Sequence, residues 1–135
     1  MPKKIERIAW LDSRLSDISD LVDRVGRVGT FSAIRLSCLE EPNIRFSGVQ
    51  IYEWMGKPNI EGRWLSLGLY AVEGGLWVAE MSWRSDRDGE IDLTRARVVE
   101  TVRDVMAAWD WSNSAKSAAK ELRWDVNEYV GSAAP

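Results

Sequence analysis

Residues 63–84 read RWLSLGLYAVEGGLWVAEMSWR, in which two alternating apolar runs flank Glu73-Gly74-Gly75. Two adjacent glycines supply the positive-φ positions that a tight hairpin turn needs. The stretch therefore predicts a β-hairpin, and the length of its loop decides which side chains share a face of the sheet.

The register of this hairpin follows from the polar residues of its second strand. A two-residue loop would place the leucines of the first strand on one face with Glu80, Ser82 and Arg84. A three-residue loop instead makes that face wholly apolar, which burial favours. The predicted pairs are Ala71 with Trp77, Leu69 with Ala79, Leu67 with Met81, and Leu65 with Trp83.

Two further segments, residues 28–39 and 44–55, show the same alternation, with Pro42 and Asn43 in the turn between them. They predict two more strands and thus an antiparallel meander. With a four-residue turn, the predicted core face carries Ile34, Leu36, Cys38, Val49 and Ile51, and the opposite face carries Phe31, Phe46, Tyr52 and Trp54.

Helices are predicted on both sides of the meander. Residues 4–25 carry apolar side chains three and four positions apart, as an amphipathic helix does. Residues 98–109 repeat this spacing behind a cap at Asp92 or Thr94, and a last helix begins near Ser112.

Together these elements predict an α+β fold: an N-terminal helix, a four-stranded antiparallel meander sheet and two C-terminal helices. The length suits a single domain over residues 1–135, with residues 132–135 as a loose tail. At the level of the fold, this element order in a small acidic chain resembles the type III secretion chaperones.

Composition excludes several classes of function. The net charge is −3 and no basic cluster exceeds Lys3-Lys4, so no nucleic-acid partner is expected. No signal peptide and no apolar run long enough for a membrane span is visible, so the expected location is cytoplasmic, without membrane contact. The single cysteine, Cys38, is expected to be a buried thiol rather than a redox centre.

The chain has no histidine, which removes the commonest general base and the commonest metal ligand. Residues 86–92 resemble the middle of an EF-hand loop, but Arg84 and Arg95 stand where calcium needs carboxylates. Glu53 and Glu80 are candidates for carboxylate chemistry, although Glu80 is expected to be an ordinary polar residue on a half-exposed face. No catalytic residue, metal site or other cofactor is predicted.

Eight tryptophans in 135 residues are the unusual feature of the composition. They fill a core, form a binding surface, or do both, and Trp and Tyr are the residues that dominate protein-binding hot spots. The predicted partner-binding patch lies beside the loop at residues 55–62. It consists of Phe46, Tyr52, Trp54, Trp64 and Tyr70.

The leading functional hypothesis is a non-enzymatic protein that binds and inhibits or escorts another protein. Toxin-immunity proteins, phage anti-defence inhibitors and secretion chaperones are of this kind, and a homodimer is a further possibility. The alternative is a small-ligand-binding domain with an aromatic-lined apolar pocket around Gly48, Gly68, Tyr52 and Tyr70. A concave cavity would favour the small-ligand hypothesis, and a flat patch would favour a protein partner. Converging carboxylates would favour an enzyme.

Overall fold

Five antiparallel strands form one sheet, in which each strand pairs with its neighbours in the chain. In this computed structural model, which describes residues 10–38, 42–87, 89 and 92–126, the strands are β1 (Ser32–Leu36), β2 (Ile44–Met55), β3 (Arg63–Val72), β4 (Trp77–Ser85) and β5 (Leu93–Val99). The described helices are α1 (Ser19–Val28), α2 (Val102–Ala108) and α3 (Asn113–Glu121), and two 3-10 turns, Trp10–Asp12 and Leu15–Asp17, precede α1. The predicted α+β class is confirmed, with five strands in place of four. The predicted loose tail lies outside the described residues.

The hairpin of β3 and β4 has the predicted three-residue loop. Leu67 pairs with Met81 and Leu69 with Ala79, as the burial of an apolar face requires. Gly74 and Gly75 adopt φ angles of 97° and 99°, which residues with a Cβ rarely adopt. The hairpin therefore sets the register of the centre of the sheet.

The two faces of the sheet differ in what covers them. The helix face carries Leu67, Leu69 and Ala79 and packs against the helices, whereas the open face carries Tyr70 and Glu80. The largest fully buried side chains on the helix side are Leu15, Leu21, Leu67, Leu69, Val99, Val102, Val105, Met106 and Trp109.

The fifth strand occupies residues that the sequence pattern assigned to a helix. Thr94 and Ala96 alternate onto the open face, which is strand periodicity, and α2 begins only after Thr101. The Thr101 hydroxyl accepts from the Asp104 N–H, while the Asp104 carboxylate accepts from the Thr101 N–H, so the two residues form a capping box. The predicted caps at Asp92 and Thr94 are therefore wrong.

The predicted N-terminal helix is shorter than its apolar spacing suggested. It begins at Ser19, and the described part before it forms the two 3-10 turns; residues 4–9 lie outside the described residues. The Leu15 N–H donates to the Glu100 carbonyl at 2.9 Å, and the Val102 N–H donates to the Ser13 carbonyl at 3.0 Å. These bonds to the entry of α2 use backbone groups that a continuous helix would need internally.

The predicted register of β1 and β2 is wrong by three residues. Ile34 pairs with Phe46 and Leu36 with Ile44, so the connection is longer than four residues. An odd shift moves side chains to the other face, and Ile34 and Leu36 therefore lie on the open face. The Cys38 N–H donates to Asn43 Oδ1 at 3.0 Å, which closes the longer turn.

A β-bulge in β2 corrects the predicted faces of two aromatic residues. Val49 pairs with Ala71, but after an irregularity between Gln50 and Tyr52 the partner of Tyr52 is Leu69 and that of Trp54 is Leu67. The extra residue keeps Val49, Tyr52 and Trp54 on the helix face, although the sequence pattern placed the two aromatics on the other.

The sheet coils so that its open face is concave. Leu36 of β1 and Ala96 of β5 belong to opposite edges of the sheet, yet both lie in one buried cluster with Tyr70 and Val78. A flat sheet would hold its edge strands far apart, because neighbouring strands are spaced by about 4.8 Å. The curl brings β1 over the open face, where the candidate site lies.

Candidate functional site

The open face contains a cavity of about 520 Å³ between β1 and the strands β3, β4 and β5. Polar side chains dominate it, although it is cut into the surface of a sheet. Its lining consists of Arg35, Leu36, Ser37, Tyr70, Glu80, Ser82, Arg84, Asp92 and Thr94. The curl of the sheet creates this cavity, because residues from both edges contribute to one wall.

Glu80 is the buried acid of the cavity, with only 5% of its surface exposed. Its Oε1 accepts a hydrogen bond of 2.7 Å from the Tyr70 hydroxyl. On the neighbouring strand, Gly68 leaves room for it, since a Cβ there would lie 3.1 Å from Glu80 Oε1 and 3.0 Å from Gln50 Nε2. Because burying a carboxylate is costly unless it is hydrogen-bonded, the tyrosine and the glycine are what allow the acid to sit there.

Tyr70 acts as a hydrogen-bond donor at physiological pH. Burial raises the pKa of its phenol well above the usual value, and the adjacent charge and hydrogen bond of Glu80 raise it further. The Phe46 ring holds it in place in an edge-to-face contact, with ring centroids 5.5 Å apart.

The raised pKa of Tyr70 predicts a loss of stability at alkaline pH. The unfolded phenol loses its proton near pH 10 while the folded phenol keeps it, so its contribution is complete below pH 10 and disappears as the pH rises toward the folded pKa. Above pH 10, the free energy of unfolding should fall by up to about 1.4 kcal/mol per pH unit from this group. Urea unfolding at pH 9 to 11 measures this, and Tyr70→Phe should give a shallower decline; an equal decline in both proteins would contradict the assignment.

A second polar pair belongs to the lining of the same cavity. The Ser82 and Thr94 hydroxyls are 2.8 Å apart, and both residues are buried. One hydroxyl donates to the other, and each oxygen has a further lone pair. The pair therefore offers a neutral hydrogen-bonding surface beside the Glu80–Tyr70 pair.

Arg84 brings positive charge and an unsatisfied donor to the cavity. Its Nη1 lies 3.8 Å from Asp92 Oδ2, which is a long ion pair. Its Nε, like the indole Nε1 of its cross-strand partner Trp64, is buried without a hydrogen-bond partner in the described part of the chain. Because Arg84 lines the cavity, its guanidinium can donate to a hydrogen-bond acceptor there.

The five predicted partner-binding residues do not form one exposed patch. Phe46, Trp64 and Tyr70 lie on the open face, whereas Tyr52 and Trp54 lie on the helix face. Tyr70 is buried and the other four are half-buried.

Tyr52 is held by the last helix. Its hydroxyl donates to Glu121 Oε1 at 2.6 Å, and its ring centroid is 6.5 Å from that of Trp109. Burial, together with the hydrogen bond and charge of Glu121, raises the pKa of its phenol. This residue therefore belongs to the packing between sheet and helices.

The observed cavity is lined mainly by polar residues, whereas the pocket predicted from the sequence was apolar. Of its four residues only Tyr70 lines the observed cavity, and Gly48 lies against the Phe46 ring. Glu80, named in the sequence as a carboxylate candidate but expected on a half-exposed face, is buried. Ser82 and Arg84 were not predicted as site residues, although the hairpin register places them on one face with Tyr70. The contribution of Arg35 in β1 and of Ser37, which follows β1, had no signal in the sequence.

Three findings bear on the class of function. In the ranges given above, no group of three His, Cys, Asp or Glu side chains could hold a metal ion. None of the described helices is long and apolar enough to cross a membrane. Compared with known proteins, the chain matches no family model, no curated protein sequence and no solved structure.

Proposed function

We propose that the protein is a non-enzymatic ligand-binding domain that takes a small polar molecule into the open-face cavity. The observation that carries this proposal is the Glu80 carboxylate, 5% exposed, at the surface of a cavity of about 520 Å³. That volume falls within the range of roughly 300–1,000 Å³ typical of sites for small molecules.

The energetic cost of burying the Glu80 carboxylate supports a role in ligand binding rather than in packing. Replacing a buried charged group by a well-packed apolar residue is often neutral or stabilising, so packing alone does not call for a carboxylate here. The coiled face already holds an apolar cluster of Leu36, Tyr70, Val78 and Ala96, to which an apolar residue could be added. A carboxylate facing a cavity instead offers an acceptor to the donor groups of a ligand.

The arrangement of donors and acceptors indicates what kind of ligand fits. Glu80 and the Ser82–Thr94 pair suit amine, amide or hydroxyl groups, while the Arg84 guanidinium suits an acceptor such as a carboxylate or carbonyl. The cavity contains charges of both signs, so the favoured ligand is a polar molecule with separate donor and acceptor ends.

The site suits recognition better than catalysis. Glu80 is engaged by the Tyr70 hydroxyl and Asp92 lies beside Arg84, so each acid has a partner within the protein. Neither histidine nor cysteine lines the cavity. A pair of free, converging carboxylates, which carboxylate catalysis would need, is not formed by these residues.

A protein partner remains the second candidate function. The aromatic patch proposed from the sequence gives it no support, because its residues are divided between two faces. The observation that favours it is a pair of exposed arginines, Arg35 of β1 and Arg45 of β2, which lie opposite each other at the edge of the sheet.

Thermal melting in the presence of a panel of free amino acids, polyamines, nucleosides and monosaccharides tests the proposed function. A ligand present at one hundred times its Kd should stabilise the wild type by about 2.7 kcal/mol, seen as a higher Tm. Glu80→Gln should abolish the shift, whereas Glu73→Gln, in the exposed hairpin turn, should retain it. No shift with any member, or an equal shift in Glu80→Gln, would count against the cavity as the site.

A further inference from the structure

The β1 strand is an edge of the sheet with an exposed outer side. It pairs only with β2 among the described strands, and Ser32, Ala33 and Arg35 are exposed. An edge strand presents backbone N–H and C=O groups that another extended segment can use.

Two arginines face each other across this edge. Arg35 of β1 pairs directly with Arg45 of β2, and both side chains are exposed. Like charges directly opposite in a sheet are destabilising. In the described part of the chain no carboxylate lies in ion-pair range of either guanidinium, whereas other arginines have such partners. These ion pairs are Arg14–Glu100, Arg24–Asp20, Arg84–Asp92, Arg95–Asp110 and Arg103–Asp12.

An apolar groove runs beside the arginine pair. A second cavity, of about 510 Å³, follows the β1–β2 ladder, and Ala33, Ile34 and Phe46 supply its apolar part. Ile34 and Arg35 are adjacent in the strand, so they point to opposite faces. A segment paired with β1 would therefore meet positive charge on one of its sides and apolar surface on the other.

We propose that this edge binds an extended acidic segment of a protein partner, which adds a strand beside β1. Its backbone would bond to the free edge, its carboxylates would contact Arg35 and Arg45, and its alternate apolar side chains would lie near Ile34 and Phe46. Arg35 also lines the open-face cavity, but the edge site uses neither Glu80 nor a bound small molecule, so this proposal does not depend on the proposed function.

Other occupants fit the edge less well. A second copy paired through β1 would bring another set of arginines against Arg35 and Arg45. A nucleic acid would find a net charge of −3 on the whole chain and an apolar groove beside the cationic pair. An alternating acidic and apolar peptide matches both the charge and the groove.

The test uses a short fluorescent peptide of alternating glutamate and valine, with a glutamine–valine peptide as its matched control. Fluorescence anisotropy at low salt should show binding of the acidic peptide to the wild type, weakened by added salt. Arg35→Glu should weaken binding at least tenfold. The same variant should raise Tm, because it replaces a repulsive pair by an attractive one. Lys57→Glu, an equal change of charge in an exposed loop, should leave binding within twofold.

Several results would overturn the proposal. They are no binding of the acidic peptide, equal binding of the glutamine peptide, or equal loss in Arg35→Glu and Lys57→Glu. Tighter binding of an oligothymidylate would assign the edge to a nucleic acid, and a dimer of the free protein abolished by Arg35→Glu would assign it to a second copy. Amide NMR shifts confined to β1 and β2 on peptide addition would support strand pairing.

Discussion

Replacing Trp109 with alanine is expected to lower the free energy of unfolding by about 3–5 kcal/mol, the largest effect of any single change considered. Trp109 is fully buried between the sheet and the helices. Its indole Nε1 donates to the Glu80 carbonyl oxygen at 3.0 Å, so it also fixes the strand that carries the site acid. Alanine would leave a cavity and remove that donor. Urea denaturation followed by circular dichroism measures the loss.

Trp111 provides the matched control for this substitution. It lies two residues further along, with 38% of its surface exposed. Trp111→Ala should therefore cost within about 1 kcal/mol, since exposed substitutions usually have small effects. Equal losses in the two variants would contradict the placement of Trp109 at the centre of the core.

Gly48→Ala is expected to destabilise the protein by roughly 1–3 kcal/mol, through overpacking rather than lost contact. A Cβ at this position would lie 2.6 Å from the Ala71 carbonyl oxygen and 2.7 Å from two carbons of the Phe46 ring. The carbonyl belongs to the neighbouring strand, so it cannot retreat without disturbing the β2–β3 ladder. Urea unfolding again measures the effect.

Gly26 is the control, since the same substitution should have the opposite sign there. It lies within α1, and a Cβ would meet nothing within 4 Å. Gly26→Ala should stabilise the protein by about 0.5–1 kcal/mol, because alanine is the better helix former. If Gly48→Ala were tolerated as well as Gly26→Ala, the close approach of β2 and β3 would be wrong.

The centre of the sheet could be predicted from local sequence because two rules agree there. Gly74 and Gly75 mark the turn, and only one loop length keeps Glu80 away from the leucines. The border between β5 and α2 could not be predicted from apolar spacing, since valines spaced through residues 98–105 fit a strand end and a helix start alike. The capping signal at Thr101 and Asp104 decides it, and it is visible in the sequence.

The predicted faces of Tyr52 and Trp54 were wrong because the alternation of apolar and polar residues does not reveal a β-bulge. The bulge in β2 adds one residue, and one residue exchanges the faces of everything after it. Tyr52 and Trp54 thereby join the helix side. A four-residue turn at Pro42 and Asn43 would keep Leu36 on the core face, but the longer connection places it on the open face. Both errors concern insertions that tertiary packing selects.

The candidate site, too, could be predicted from the sequence only in part. The register alone places Tyr70, Glu80, Ser82 and Arg84 on one face, so four of the nine lining residues follow from the hairpin. The burial of Glu80 and the approach of Arg35 depend on how the sheet coils. Coiling is a property of all five strands together, which no local pattern of residues specifies.

The most direct test of the open-face cavity as a binding site is amide NMR of the nitrogen-15-labelled protein. The ligand is the polar molecule from the panel that raises the melting temperature most. If the cavity is the site, the shifts on addition should concentrate at Tyr70, Glu80, Ser82 and Thr94, which line it, and should vanish in Glu80→Gln. Shifts that fall on the helix face, or that persist unchanged in Glu80→Gln, would contradict it.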